Sequence, residues 1–202
     1  MFITFEGIEG SGKSTLLAGV AQRLRDRGYD PLLTREPGGT EVGDLVRDLF
    51  LHVRLPVNPL AEAFLINASR AQHVLEVIEP ALLGRRPVLC DRYTDSTLAY
   101  QGYGRGLDLS VLRRLCETAT GSLVPDVTLL ADVSVATSQQ RVASRGKPED
   151  RMESQDAAFH DRVRAGYLRL AADTPRIRRI DGERSATAML EDAWAHILAM
   201  LP

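Results

Sequence analysis

Apolar and β-branched residues occur along this chain in short runs, separated by longer stretches of helical period. Phe2–Phe5, Pro31–Thr34, Val88–Cys90, Val127–Ala131 and Ile177–Ile180 read as strands. Ser14–Arg27, Pro59–Leu83, Ser110–Thr120, Val135–Ser144, Gln155–Ala172 and Ala186–Leu201 read as helices, and a further helical stretch follows Arg35–Thr40. Strands alternating with helices predict an α/β fold: right-handed crossovers, a mostly parallel five-stranded sheet and helices on both faces. Ligands then bind beyond the carboxyl ends of the strands. Several unusual segments fall there: Gly7–Ser14, Arg35–Thr40, and Asp91 with Arg92. No repeat, low-complexity tract or linker interrupts the pattern, so residues 1–202 are expected to form one domain.

Composition narrows the partners. The 202 residues are 44% hydrophobic and 26% charged, as in an ordinary globular protein. Lys plus Arg number 25 against 27 Asp plus Glu, a net charge of -2, so no global field draws the chain to nucleic acid or to an anionic membrane. Any anion must be held locally. Lys13 and Lys147 are the only lysines; arginine carries the remaining positive charge. No apolar run is long enough to span a bilayer, and Met1–Glu6 lacks the features of an export signal. Cys90 and Cys116 have no metal-ligand spacing and are too few for a disulfide framework, which suits the cytoplasm.

Gly7-Ile8-Glu9-Gly10-Ser11-Gly12-Lys13-Ser14 satisfies G-x-x-x-x-G-K-[ST] between a predicted strand and a predicted helix. In such a loop the glycines let successive backbone N–H groups converge on phosphate oxygens, and the helix N-terminus adds its positive dipole end. Gly7, Glu9, Gly10, Ser11, Gly12, Lys13, Ser14 and Thr15 are therefore the candidate ATP-binding set. Lys13 would bridge the β- and γ-phosphates, Ser14 would ligate Mg²⁺, and Thr15 is a neighbouring donor. The five strands and this loop together imply a P-loop NTPase three-layer fold. A switch GTPase is disfavoured, because neither lysine follows Asn as Asn-Lys-x-Asp requires. The Leu-Ser-Gly-Gly run of transporter ATPases is missing too.

Four further segments resemble the bacterial thymidylate kinases, in that family's order. They are Arg35-Glu36-Pro37-Gly38-Gly39-Thr40, Ala68-Ser69-Arg70-Ala71-Gln72-His73, Asp91-Arg92-Tyr93 with Ser96–Gly102, and Glu149-Asp150-Arg151-Met152-Glu153 running on to Tyr167. The resemblance spans about residues 1–173. It implies transfer of the ATP γ-phosphoryl group to dTMP, a mobile LID at about residues 144–154, and a homodimer. The rival readings are another nucleotide or deoxynucleoside kinase and a non-catalytic nucleotide-gated binding protein.

The resemblance also implies residue roles. Arg92 clamps the acceptor phosphate or the transferred group, Asp91 positions Mg²⁺ with Ser14, and Arg47 reaches the acceptor phosphate. Glu9 accepts from the sugar 3'-hydroxyl and so must point away from ATP. Arg70, Thr97 and Gln101 read the thymine, and Tyr100 crowds the sugar 2'-position. Arg145, Lys147 and Arg151 are the LID candidates for catalytic charge, because Gly10 and Ser11 follow Glu9 where other members carry an arginine. Ile66 stands where the family usually has an aromatic ring stacked on thymine, and can form an apolar wall instead. Phe64, turned roughly 200° from Ile66 around a helix, is expected in the core. His52 and His160 are expected on helix surfaces or at an interface. His73 is placed as a structural partner of the base site, and Cys90 reads as a small buried hydrophobe.

Overall fold

The computed structural model describes residues 1–53, 55–146 and 148–201. Among them, strands β1 (Phe2–Glu6), β2 (Leu32–Arg35), β3 (Val88–Asp91), β4 (Val127–Asp132) and β5 (Ile177–Asp181) form one parallel sheet in the order β2-β3-β1-β4-β5. The interior strands β1 and β4 are buried at every position, as strands covered on both faces must be, whereas the edge strands β2 and β5 are partly exposed. Each strand runs one residue past its apolar run, into Glu6, Arg35, Asp91, Asp132 and Asp181. The carboxyl edge of the sheet is thus a row of charged side chains.

Helices α1 (Lys13–Arg25) and α9 (Ala186–Leu198) cover one face, with Leu16, Val20 and Leu24 packed against Met189, Trp194 and Ile197. The other face meets α3 (Pro59–His73), α6 (Leu109–Thr120) and α8 (Ala157–Asp173) through Ile66, Leu112, Val163 and Tyr167. α2 (Glu41–His52), capped by the Thr40 hydroxyl accepting from Gly43 N–H, packs on α3. Beyond α3 the expected helix continues to Leu83 as a π-helical segment, Val74–Ile78, and α4 (Glu79–Leu83). Pro80 explains the widened turn, since it donates no N–H and its ring crowds the carbonyl four residues earlier.

The sequence pattern did not predict α5 (Thr94–Thr97) or its π-helical continuation Leu98–Gly104. Gly102 and Gly104 weaken the local helix signal, so tertiary packing against α8 sets this segment. α7 (Val135–Ala143) follows β4. Among the described residues no helix is long and apolar enough to cross a membrane.

Phe64 is not in the core but 56% exposed, on the side of α3 turned away from buried Ala63 and Ile66. His160 is not at the surface; it is buried beside Phe159, ring centroids 5.5 Å apart, and its Nδ1 has no partner among the described residues.

Candidate active site

A cleft of about 890 Å³ opens at the carboxyl ends of the strands. The glycine loop between β1 and α1 forms one end. Gly7 (φ +136°) passes so close to β4 that a Cβ would sit 2.3 Å from the Ala131 carbonyl oxygen, and Gly12 (φ +94°) turns the chain into α1. Lys13 folds back, donating to the Gly7 and Ile8 carbonyls, both at 2.9 Å. Burial, then the nearby Arg92 charge, pull its ammonium down to about 8. Ser14 Oγ donates to Asp91 Oδ2 at 3.3 Å, while Asp91 Oδ1 is buried without a partner among the described residues. A hydroxyl beside an unsatisfied carboxylate oxygen is a donor pair that a divalent cation fits. Thr15 also lines the cleft.

The Glu9 carboxylate accepts from Arg92 Nη2 at 2.7 Å and from the Tyr100 hydroxyl at 2.7 Å. Burial alone would push Glu9 up, but Arg92 and Lys13 outweigh it and hold the carboxyl below the usual range. Arg92, just past β3, adopts φ +73°, a conformation costing a non-glycine residue on the order of 1–3 kcal/mol. It is held there because its N–H reaches the Phe5 carbonyl and its Nη1 reaches Ser96 Oγ at 3.2 Å and the Tyr167 hydroxyl at 3.1 Å.

Behind those hydroxyls lies Glu6, which accepts from Ser96, Tyr167 and the Tyr93 N–H. Burial and the neighbouring Asp95 push its carboxyl up to about 7. Arg47 lines the same region and donates to the Pro37 carbonyl at 3.0 Å; burial, Arg35 and Arg92 pull it down. Clustered guanidiniums of this kind attract an anion.

At the far end, Arg70 is 1% exposed. Its Nε donates to Glu36 Oε2 at 2.7 Å, Nη1 to Asn67 Oδ1 and Thr97 Oγ1, and Nη2 to the Tyr93 carbonyl. Burial would pull it down, but Glu36 outweighs that and holds it above its usual value. Glu36 is fixed in turn by His73 Nδ1 at 3.0 Å, whose Nε2 meets Thr34 Oγ1 at 2.6 Å. His73 thus sits one contact behind Arg70, the structural place expected for it. Ile66 lines the cleft, as do Thr97 on α5 and Tyr100 and Gln101 on its π-helical continuation.

The segment 144–154 is only partly as expected. Arg145 lines the cleft and pairs with Glu153 at 3.0 Å. Arg151 is not brought there: Nε donates to the Phe50 carbonyl at 2.8 Å and Nη1 to Glu62 Oε1 at 2.5 Å. Two buried acceptors compete with the cleft for this guanidinium. Lys147 lies outside the described residues. Arg141, by contrast, braces the glycine loop at the Gly10 carbonyl and lines the cleft, as does Arg184. Neither adjoins a recognised motif; only the fold brings them to the cleft. Cys90 is buried and its thiol donates to the Arg92 carbonyl, and burial raises its pKa, so it is no nucleophile.

A sequence profile of the thymidylate kinases, "Thymidylate kinase", matches residues 5–193. The chain belongs to the thymidylate kinase family. It is 53% identical over 182 residues to the thymidylate kinase of Desulfovibrio desulfuricans, covering 87% of this chain and 84% of that one. Identity to the Deinococcus radiodurans thymidylate kinase is 48% over 198 residues, 98% of this chain and 96% of that one. Its fold is similar to the crystal structure of thymidylate kinase from Ehrlichia chaffeensis, with a TM-score of 0.80, 34% identity and 98% of both chains covered. Membership agrees with the site: the glycine loop faces a second, arginine-lined end of the same cleft.

Proposed function

We propose that this chain transfers the γ-phosphoryl group of ATP to dTMP, giving ADP and dTDP. The carrying observation is that Lys13 and Ser14 at one end of the cleft, Arg92 and Arg47 at its centre, and Arg70 at the other end line one continuous space. A nucleoside monophosphate is already largely dianionic near neutrality, its second pKa being about 6, so the attacking oxygen needs no general base. What remains is positioning two anions in line and spreading positive charge over the passing group.

Lys13, released from the Gly7 and Ile8 carbonyls, takes the β- and γ-phosphates, with the loop amides of Gly10, Ser11 and Gly12 around them. Ser14 and Asp91 would hold Mg²⁺, which when bound neutralises phosphate charge. Arg92 and Arg47 take the acceptor phosphate. Glu9 accepts from the sugar 3'-hydroxyl while keeping Arg92 in place, and Tyr100 closes the 2'-side. Arg70, Thr97 and Gln101 read the base edge against the Ile66 wall. Arg145 is the residue of the 144–154 LID that acts on the transferring phosphate; Arg151 reaches it only if the LID rearranges.

Lys13 sets a pH dependence. Its ammonium is held down to about 8 without ligand, and phosphates favour the charged form, so ATP binding takes up a proton around and above that pH. The KM for ATP is expected to rise as pH passes 8, with the KM for dTMP changing far less. Parallel rises in both would contradict this role.

The chain acts as a homodimer. Val42, Leu45 and Leu49 of α2 and Leu60 and Phe64 of α3 form an exposed apolar stripe, Leu45 being 71% exposed. Leu45→Glu is expected to convert a dimer to a monomer in sedimentation; a wild-type monomer at micromolar concentration would refute the assignment. Two free, buried cysteines suit the cytoplasm.

A further inference from the structure

Glu62 belongs to no motif, yet it is fully buried on α3 directly behind the base end of the cleft. Its carboxylate accepts from Arg105 Nη2 at 3.1 Å, Arg105 Nε at 3.3 Å, Arg151 Nη1 at 2.5 Å and Gln101 Nε2 at 3.2 Å. Paired with two guanidiniums, it offers acceptors only.

We propose that Glu62 is a specificity-determining positioning residue. It turns the Gln101 amide nitrogen inward, so that the amide oxygen is what the acceptor base meets. The pocket then takes a 4-oxo, N3–H pyrimidine and refuses a 4-amino one.

If the Gln101 amide turned over, its oxygen would face a carboxylate oxygen at 3.2 Å, two acceptors with no proton between them. Glu62 therefore fixes the orientation. Gln101 Oε1 is left buried and without a partner among the described residues, on a side chain that lines the cleft. A buried orphan acceptor in a ligand cleft is satisfied by a ligand donor.

Arg70 complements it. Its Nε–H, both Nη1 hydrogens and one Nη2 hydrogen are committed to Glu36, Asn67, Thr97 and the Tyr93 carbonyl. Among the described residues one Nη2–H remains, so Arg70 offers a donor. The pocket thus presents one donor and one acceptor of fixed sense. A 4-oxo pyrimidine with N3–H supplies the matching acceptor and donor. A 4-amino pyrimidine supplies an amino donor and an N3 lone pair, which is the reverse at both contacts.

This inference rests on the acceptor-site reading proposed above, and the test separates the two. Steady-state rates are measured with dTMP and dCMP for the wild type and for Glu62→Gln. A glutamine at 62 can itself donate to Gln101 Oε1, which frees the Gln101 amide to turn and offer N–H to the cleft. The dTMP/dCMP ratio of kcat/KM is expected to fall roughly tenfold or more, with the KM for ATP unchanged. A residue that merely supports the fold would lower both acceptors alike; an unchanged ratio overturns the proposal.

Because Glu62→Gln leaves Arg105 and Arg151 without their carboxylate, the wild-type protein provides a second measurement. With ¹⁵N-labelled glutamine, the side-chain N–H protons of Gln101, assigned by their loss in Gln101→Leu, are expected to exchange slowly with water before any ligand is added. Protection that appears only on adding dTMP means the nitrogen faces the cleft and overturns the proposal. Wild-type protein that turns over dCMP and not dTMP overturns the acceptor reading and this inference together. Normal dTMP turnover with an unchanged ratio overturns this inference alone.

Discussion

Lys13→Ala is expected to lower kcat at least about 100-fold, the loss typical when one preorganised charge is removed from a developing anion, while the protein stays folded. The loss in rate follows from placement. Lys13 is the one lysine among the described residues, and the glycine loop leaves no second ammonium to replace it. The retained fold follows from the sign of its shift. Burial depresses the ammonium from 10.5 to about 8, so the folded state disfavours the charge. Between these values the unfolded chain binds more protons, and stability rises with pH; below about 8 the buried charge is a standing cost that alanine removes. Two hydrogen bonds to the Gly7 and Ile8 carbonyls are lost in exchange. Thermal unfolding at pH 7 should therefore leave Tm near the wild-type value. A near-normal kcat would mean that the loop does not grip the donor.

Arg70→Ala is expected to have the largest combined effect on stability and acceptor binding. Its guanidinium neutralises Glu36, which is itself only 2% exposed. Truncating one partner of such a buried pair leaves an uncompensated charge and costs about 3–5 kcal/mol, and for a chain of this size each kcal/mol lowers Tm by roughly 2–4 °C. The KM for dTMP should rise far more than that for ATP. Stability loss could itself lower activity, so the pair is also replaced together. In Glu36→Gln/Arg70→Met the buried charge is gone from both sides, and much of the lost Tm should return. The KM for dTMP should stay high because the base-reading donor is still missing. Recovery of the dTMP KM along with Tm would show that Arg70 acts only as a structural strut.

The parts of this site that were legible in the sequence are those made by contiguous chain. The glycine loop is built from Gly7 to Ser14, and its phosphate geometry follows from local backbone freedom, so reading the residues in order was enough. Asp91 with Arg92 likewise falls at the end of a strand whose apolar run marks it. What stayed hidden depends on residues distant in sequence. Each strand was read one residue short because the apolar signal stops where Glu6, Arg35, Asp91, Asp132 and Asp181 begin. These charges belong to the strands and stand at the carboxyl edge of the sheet. Glu6 was missed for that reason, although Ser96 and Tyr167 link it to Arg92.

Glu62 and Arg141 carry no local signature at all. A carboxylate in a helical pattern reads as a solvated face until the fold turns that face inward. The same cause, acting in the opposite direction, misplaced Phe64: an aromatic ring in a helical pattern reads as core, yet α2 and α3 leave this one on the surface. The helix carrying Thr97, Tyr100 and Gln101 was not predicted because its glycines argue against one. Its residues were nonetheless found through family resemblance.

The proposed reaction needs one cleft to hold a phosphoryl donor end to end with dTMP. Its most direct test measures ADP production by the wild-type protein with Mg-ATP and, in turn, dTMP, dUMP, CMP, AMP and thymidine. Turnover is expected to be fastest with dTMP and negligible with CMP, AMP and thymidine. Preference for any other acceptor, or no turnover with any of them, would contradict the account.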